Sequence, residues 1–439
     1  MTGVVVSSVV IFTAKVIGFF MGLIGRGGSL PGVVALKLDK RILRKLKYPD
    51  EVIIVTGTNG KTSVSNMIAD VYEAAGRRVV ANRKGDNLKR GIVSVLIGGV
   101  GLRGKVRADV VVLEVDELSV PGIMEDVRPS LVLVNNLFRD QVDRTGTVEN
   151  VAKRLEDAFE NYDGKLILNG DDPNVARLAL NTKAEVKYFG VARHDRSVEE
   201  CDESSDGKVC PKCGGELVYD FWQYSHVGRF RCGGCDFGKF DVDYLVDEVD
   251  IERGKFVYNG VEFGLVNMSL FGVYNAISVI AVARERGLEI SLVAKVIEEF
   301  TLGNGRMEVF DLGGERTCLL NMIKNATGAN EMIKYILRDT GEKEILIILN
   351  DGIADGKDVS WIWEAKFDLF TRDDVKRVIC AGTRREDIAK RMKEVMSEDK
   401  VVVRENLDDA VEELREGVGA AYILASYTAV RDVRVKLKL

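Results

Sequence analysis

Residues 51–63, EVIIVTGTNGKTS, restrict the possible fold more than any other stretch of the chain. Val52 to Val55 form a short, uninterrupted apolar run, the pattern of a parallel strand buried on both faces. The run leads into Gly57, Thr58, Asn59 and Gly60, then Lys61, Thr62 and Ser63. From Lys61 the apolar spacing turns helical: Val64, Met67, Ile68, Val71 and Tyr72 share one face, and Gly76 is the stop signal. A strand, a glycine loop and a helix start carrying lysine and hydroxyl form a cradle for a nucleotide polyphosphate. Glycines let backbone N–H groups close on phosphate oxygens, and the helix N-terminus favours negative charge. Lys61 adds a point charge and Thr62 a ligand for Mg²⁺. The expected ligands are therefore ATP and Mg²⁺, held by Gly57 through Ser63. Only two residues separate Gly57 from Gly60, where the usual P-loop has four between its glycines, and Val55 stands in place of the outer glycine. The plain alternative is an ordinary βα turn with a surface lysine; the flanking strand and helix weigh against it.

A chain of 439 residues divides into two or three domains. Net charge of −6 and a sequence pI near 5.4 argue against a general nucleic-acid binder. Two glutamines amid abundant Lys, Glu, Arg, Val and Ile fit a thermophilic composition. Histidine occurs only at His194 and His226, so a self-contained Ser-His-Asp or Cys-His centre is not expected.

Residues 3–24 are long and apolar enough to test as a membrane span, although Lys15 lies inside and Ser7, Ser8 and Thr13 dilute it. A basic run follows: Lys37, Lys40, Arg41, Arg44, Lys45 and Lys47. Membrane-surface contact and packing on the domain both remain open. A signal peptide is disfavoured by the lack of a basic start and of a small-residue cleavage site.

Cys210-Pro-Lys-Cys213 and Cys232-Gly-Gly-Cys235 stand eighteen residues apart. Two such knuckles at this spacing make a Cys₄ zinc ribbon, a closed and therefore structural site. Redox motifs of the same form come singly beside a βαβ unit, which does not fit here.

Further strands are expected at Ala108 to Glu114, Pro129 to Asn136 and Lys165 to Asn169. Glu114 ends its strand, and ligands of open α/β sheets lie outside carboxyl strand ends, so Glu114 is placed to hold Mg²⁺. Beyond residue 305 a second α/β pattern begins. It has strands expected at Thr317 to Met322, Glu344 to Leu349, Arg377 to Cys380, Val401 to Val403 and Ala421 to Leu424. Within it, LNDGIADGKDVSWIW carries Asp351, Asp355 and Asp358 on a loop at a strand end, where function is expected over a merely solvated turn.

TGTNGKTS resembles the ATP loop of the Mur ligase family, which includes folylpolyglutamate synthases. NGDDP (Asn169 to Pro173), the GVYNAIS helix and GRME (Gly305 to Glu308) resemble further motifs of that family. The resemblance implies adenine contact by Asn275, γ-phosphate contact by Arg306 and a Mg²⁺ contact near Gln141, which replaces the family's histidine. Ser278 replaces a second asparagine. The GRGG-LPG segment, the cysteine ribbon, KNATGANE and ASYTAVRDVR narrow the resemblance to the MurT-type subunits of lipid II isoglutaminyl synthase. It implies amidation of the D-glutamate α-carboxylate of a lipid-linked or nucleotide-linked peptide, through an acyl phosphate. Ammonia would come from a GatD-like class-I glutaminase partner whose catalytic pair is supported by an aspartate of a D-N-x-A-D loop. Asp351 and Asp355 match its two acids, and Gly352 replaces its asparagine. The expected architecture is an N-terminal helical segment (1–48), a Mur-type ATPase domain with an inserted zinc ribbon (49–305) and a Rossmann-like C-terminal domain (306–439). Two rivals are a Mur-like ligase that adds an amino acid to a cell-wall peptide or a glutamate to folate, and a ribbon-bearing interaction protein with a vestigial nucleotide site.

Overall fold

A computed structural model describes residues 2–23, 28–140, 146–201, 206–265, 269–301, 303, 305–314 and 316–438, with the side chains of 2–6 undefined. The chain forms two compact units, Met1–Leu137 with Val148–Phe300, and Phe138–Thr147 with Thr301–Leu439.

The first unit is built on a seven-stranded sheet. Its strands are β1 (Glu51–Thr56), β2 (Val79–Ala81), β3 (Val110–Glu114), β4 (Leu131–Val134), β5 (Lys165–Asn169), β6 (Glu185–Val191) and, after the cysteine hairpin, β9 (Tyr244–Val246). All run parallel, in the order β2-β3-β1-β4-β5-β6-β9. β1 lies between β3 and β4, with Ile54 beside both Leu113 and Val132. The order reverses at β1, so the crevice at its carboxyl end is the expected ligand site. Every described residue from Val52 to Thr56 is buried, as a strand covered by helices on both faces must be. One face packs Val52, Ile54, Val111, Leu113, Val132 and Val134 against Ile92, Leu96, Leu155 and Phe159.

β7 (Leu217–Tyr224) and β8 (Val227–Cys232) form an antiparallel hairpin within this unit. A small antiparallel sheet of β10 (Glu248–Asp250), β11 (Lys255–Tyr258) and β12 (Val261–Gly264) follows.

The second unit holds a six-stranded sheet, β13-β14-β18-β15-β16-β17. These are β13 (Glu308–Gly313), β14 (Arg316–Met322), β15 (Lys343–Ile348), β16 (Val375–Ala381), β17 (Val401–Val403) and β18 (Ala420–Ala425), with only the edge strand β13 antiparallel. The five strands expected here from the sequence form within a residue or two of their predicted limits. β13 was not expected, because its alternating burial gives no continuous apolar run. Phe138–Thr147 groups with this unit. Asp140 accepts from Lys324 Nζ at 2.6 Å, and Arg139 pairs with Glu364 at 3.0 Å.

Helix Thr2–Leu23 does not stand alone: Val10, Ile11 and Ala14 are buried in the core with Ala35, Ile92 and Leu96. Among the described residues no helix is long and apolar enough to cross a membrane, so the N-terminal span tested from the sequence is not found.

Candidate active site

The loop after β1 is shaped by two asparagines at the end of β4. Thr58 N–H donates to Asn136 O and Asn59 N–H to Asn136 Oδ1, both at 2.8 Å. Asn135 and Asn136 each donate a side-chain N–H to Asn59 O, at 3.0 and 3.1 Å. Thr58 and Asn59 amides therefore brace the loop. The amides left to meet a phosphate are those at the start of helix Lys61–Ala74, from Gly60 at its cap through Lys61, Thr62 and Ser63, which no intrahelical carbonyl can satisfy.

Gly57 has φ 124°, and a Cβ there would lie 2.8 Å from Asn136 O. Gly60 caps the helix in the left-handed conformation, and a Cβ there would lie 2.2 Å from Asn275 Oδ1. Asn275 itself accepts from Asn135 Nδ2 at 2.8 Å, so the helix Leu270–Glu285 is pinned to the loop. Ser278 donates to Asn275 O at 2.7 Å within the same helix and is buried. Its hydroxyl is used locally, where the family motif has an asparagine.

Lys61 is buried and donates to the carbonyls of Gly57 and Thr58 and to Glu117 Oε1 at 2.9 Å. Burial works against its charge, but Glu117, Glu114 and Asp116 more than compensate and raise the ammonium above the usual lysine value. It is held as a cation.

Glu114 is fixed as a unit. Asn82 donates to Glu114 O and accepts from Glu114 N–H, both at 2.8 Å, while Asn87 donates to Glu114 Oε1 at 3.0 Å. Oε2 is buried with no hydrogen-bond partner among the described residues. A buried carboxylate oxygen without a partner is costly, and a divalent cation would offset that cost. A Cβ on Gly85 would lie 3.4 Å from Thr62 Oγ1 and 3.7 Å from Glu114 Oε2. Both oxygens thus face one small space kept open by a residue without a side chain. The pair fits Mg²⁺. Gln141, the third expected contact, lies outside the described residues.

The four cysteine sulfurs of Cys210, Cys213, Cys232 and Cys235 lie within 4.8 Å of one another. Cys210 and Cys235 Sγ are 3.6 Å apart, and Cys213 and Cys232 Sγ 3.4 Å. A tetrahedron with Zn–S bonds of about 2.3 Å needs sulfurs roughly 3.8 Å apart, so the cage is close to the required size. Gly234 and Phe237 N–H groups point at Cys232 and Cys235 sulfurs, as expected of ribbon knuckles.

The tip of this hairpin returns to the ATPase core. His226 Nε2 lies 3.2 Å from Asp172 Oδ1, and Gly228 N–H donates to Asp171 O at 2.8 Å. Asp172 also accepts from Leu137 N–H, and Asp171 Oδ2 accepts from Tyr274 OH, each at 2.8 Å. NGDDP is therefore the joint between hairpin, β4 and the Asn275 helix. No sequence signal marked Asn82, Asn87 or His226; their roles come from tertiary packing.

Arg306, Asp351 and Asp355 belong to the second unit. Asp355 is buried, and both its oxygens are engaged: Oδ1 accepts from Thr428 N–H at 2.7 Å, and Oδ2 from Thr428 Oγ1 at 2.6 Å and Gly352 N–H at 3.0 Å. It ties the loop to the first turn of helix Tyr427–Leu437. Asp351 is about a third exposed, accepts from Thr383 Oγ1 at 2.9 Å and lies 3.4 Å from Arg384. The Thr383 hydroxyl, and next Arg384, hold its carboxyl below the usual carboxylate range. Ile353, between the two acids, is 95% exposed.

Residues 55–221 match the family described as Mur ligase middle domain, and residues 322–430 match MurT ligase C-terminal. Among curated relatives is a lipid II isoglutaminyl synthase (glutamine-hydrolyzing) subunit MurT of Staphylococcus aureus, 32% identical over 94% of this chain and 93% of its own. The protein of the same name from Streptococcus pneumoniae is 32% identical over 95% of this chain and 93% of its own. Among solved structures, a pseudomurein peptide ligase type C from Methanothermus fervidus aligns with TM-score 0.70 and 18% identity, covering 90% of this chain and 80% of that one. A MurF ligase from Thermotoga maritima in complex with ADP aligns with TM-score 0.59 and 14% identity, covering 91% and 82%. At such identities the solved structures speak for the fold alone. The sequence relatives, matched over nearly their whole length, go further: this chain belongs to the MurT family of Mur ligases.

Proposed function

We propose that this chain is the ATP-dependent synthetase subunit that amidates the D-glutamate α-carboxylate of a lipid II-type peptide. The carboxylate oxygen takes the γ-phosphoryl group of ATP, releasing ADP. Ammonia then attacks the acyl phosphate, and inorganic phosphate leaves as the amide forms. The first-turn amides of Lys61, Thr62 and Ser63 hold the phosphates, with Lys61 as fixed charge. Thr62 and Glu114 hold Mg²⁺, which supplies charge neutralisation at the phosphates when bound. Asn275 is the proposed adenine contact and Arg306 the proposed γ-phosphate contact. Cys210, Cys213, Cys232 and Cys235 hold a structural zinc. An ATP-consuming reaction on a lipid-linked peptide places the protein in the cytoplasm, at the inner face of the membrane.

Ammonia comes, in this reading, from a GatD-like glutaminase subunit. The loop 351–355 meets that partner, and Asp351 is the acid that reaches it. The support is geometric: the Asp355 oxygens are spent on Thr428 and Gly352, whereas Asp351 stands partly exposed beside Ile353.

The observation that carries amidation over amino-acid addition is the match of residues 322–430 to the MurT C-terminal family. The test is ATP turnover by the purified chain with lipid II-type precursor and ammonium, with and without a co-expressed glutaminase. Ammonium-dependent amide formation that becomes glutamine-dependent with the partner supports the proposal. Turnover only with an added amino acid overturns it in favour of a peptide-extending ligase.

A further inference from the structure

We infer that helix Thr2–Leu23 is a docking face for an anionic lipid surface, lying in the plane of the interface. One side of the helix is protein core: Val10, Ile11 and Ala14 are buried, and Lys15 Nζ donates to Gly98 O at 2.9 Å. The opposite side presents Val9, Phe12, Val16, Phe19, Phe20 and Leu23, between 37% and 67% exposed. Their spacing follows the helical repeat, so they form one continuous stripe. Of the nineteen large apolar side chains that stand exposed among the described residues, eight lie between Val9 and Leu38. An apolar stripe of this kind on a water-facing helix marks an interaction surface, not ordinary scatter.

The occupant follows from charge. Residues 1–48 hold eight basic side chains and one acid, Asp39, in a chain whose net charge is −6; Lys15 faces Gly98 O, Arg44 pairs with Glu125 and Asp126 and Lys45 with Asp39, while Lys37, Lys40, Arg41 and Lys47 stand exposed. A further basic loop packs against the core side of the helix. A Cβ on Gly104 would lie 3.9 Å from Ile11 Cδ1, and Leu102, Arg103, Lys105 and Arg107 around it are exposed. An apolar stripe on a segment with exposed cations suits acyl chains beneath anionic headgroups; a second copy of the same segment would meet it with like charge. A helix with one face already buried in protein can enter only the interfacial layer with the other.

This inference does not rest on the amidation reading, because the probe carries no peptide substrate. Full-length protein is mixed with vesicles of phosphatidylcholine alone or with phosphatidylglycerol, and flotation is measured at low and high salt. The expected result is co-flotation with the anionic vesicles, weakened by salt and by omission of phosphatidylglycerol. Phe12→Ser with Phe19→Ser should weaken partitioning at least about tenfold, with thermal midpoint and ATP turnover unchanged. Absence of the wild-type protein from the anionic vesicle fraction overturns the inference. So does a wild-type dimer in solution that the double substitution converts to monomer without any vesicle binding, which would make this face a contact between copies.

Discussion

Lys61 Nζ lies 2.9 Å from Glu117 Oε1, and each side chain is only 9% exposed. Glu114 and Asp116 add their charge to the same ammonium. A single buried cation thus balances a group of carboxylates at the mouth of the nucleotide loop, and it carries both stability and phosphate recognition.

Lys61→Ala should therefore do two things. ATP turnover should fall at least about a hundredfold, since a fixed charge on the transferring phosphoryl group is lost. Stability at neutral pH should drop by about 3 kcal/mol, because Glu117 stays buried without its partner. Adding Glu117→Gln should recover most of the stability and none of the turnover. Chemical denaturation beside an ATPase assay separates the two effects, and turnover that survives Lys61→Ala would refute the assigned site.

Glu114→Gln keeps the Asn82 clamp on the backbone and removes the charge that faces Thr62. The Mg²⁺ concentration for half-maximal turnover should rise at least about tenfold, with little loss of folding stability, since a buried oxygen without a partner is no longer charged. A magnesium titration of ATP hydrolysis measures this. An unshifted titration would leave Glu114 as a strand end only.

Cys213→Ser alters the exposed member of the cysteine cage. Wild-type protein should carry zinc in stoichiometric amount, and the variant should lose it. The thermal midpoint should fall by at least about 5 °C, because metal binding energy is folding energy for the hairpin. Metal analysis and a thermal scan decide; zinc retained at full occupancy would show that the cage is not the site.

The two loop acids should separate cleanly. Asp355→Asn should cost about 1–2 kcal/mol, since it weakens charge-assisted bonds to Thr428 and Gly352 at a helix start. Asp351→Asn should leave stability nearly unchanged and abolish glutamine-driven amidation while ammonium-driven amidation persists. Equal loss of both nitrogen sources in Asp351→Asn would move that residue into the ligase chemistry.

Asp171 gives a pH signature. Burial raises its carboxyl above the usual 3.8, against the pull of Arg229, the Val191 N–H and Tyr274 OH. The folded state then binds this proton more tightly than the unfolded state. Its contribution falls as pH rises from 3.8 through the raised folded value. Relative to wild type, Asp171→Asn should gain stability across that window, by up to about 1.4 kcal/mol per pH unit. Paired denaturation curves through the acidic range test the sign; a constant difference would show that folding leaves the Asp171 carboxyl unshifted.

Local chemistry was legible in the sequence wherever the chain itself brings the residues together. The strand–loop–helix at Glu51–Ser63 reads from periodicity and glycine placement, because the phosphate-facing amides are neighbours in the chain. Both cysteine knuckles read from spacing, because each turn presents two sulfurs by itself. The strands of the second unit read well for the same reason: buried parallel strands are continuous apolar runs. Family motifs carried Asn275 and the loop 351–355 to their positions by resemblance.

What the sequence could not express is which strand ends meet. Asn135 and Asn136 shape the nucleotide loop only because β4 lies beside β1, and Asn82 clamps Glu114 only because β2 lies beside β3. His226 acquires its role only where the hairpin folds back onto Asp172. Asp351 and Asp355 are equivalent as letters; the helix Tyr427–Leu437 makes one a staple and leaves the other partly exposed. The N-terminal apolar stretch likewise left membrane contact and packing on the domain undecided in one dimension. Burial of Val10, Ile11 and Ala14 splits it into a core side and an exposed stripe. Periodicity and spacing are properties of neighbouring residues, whereas these pairings join residues tens of positions apart, and only the tertiary packing sets them.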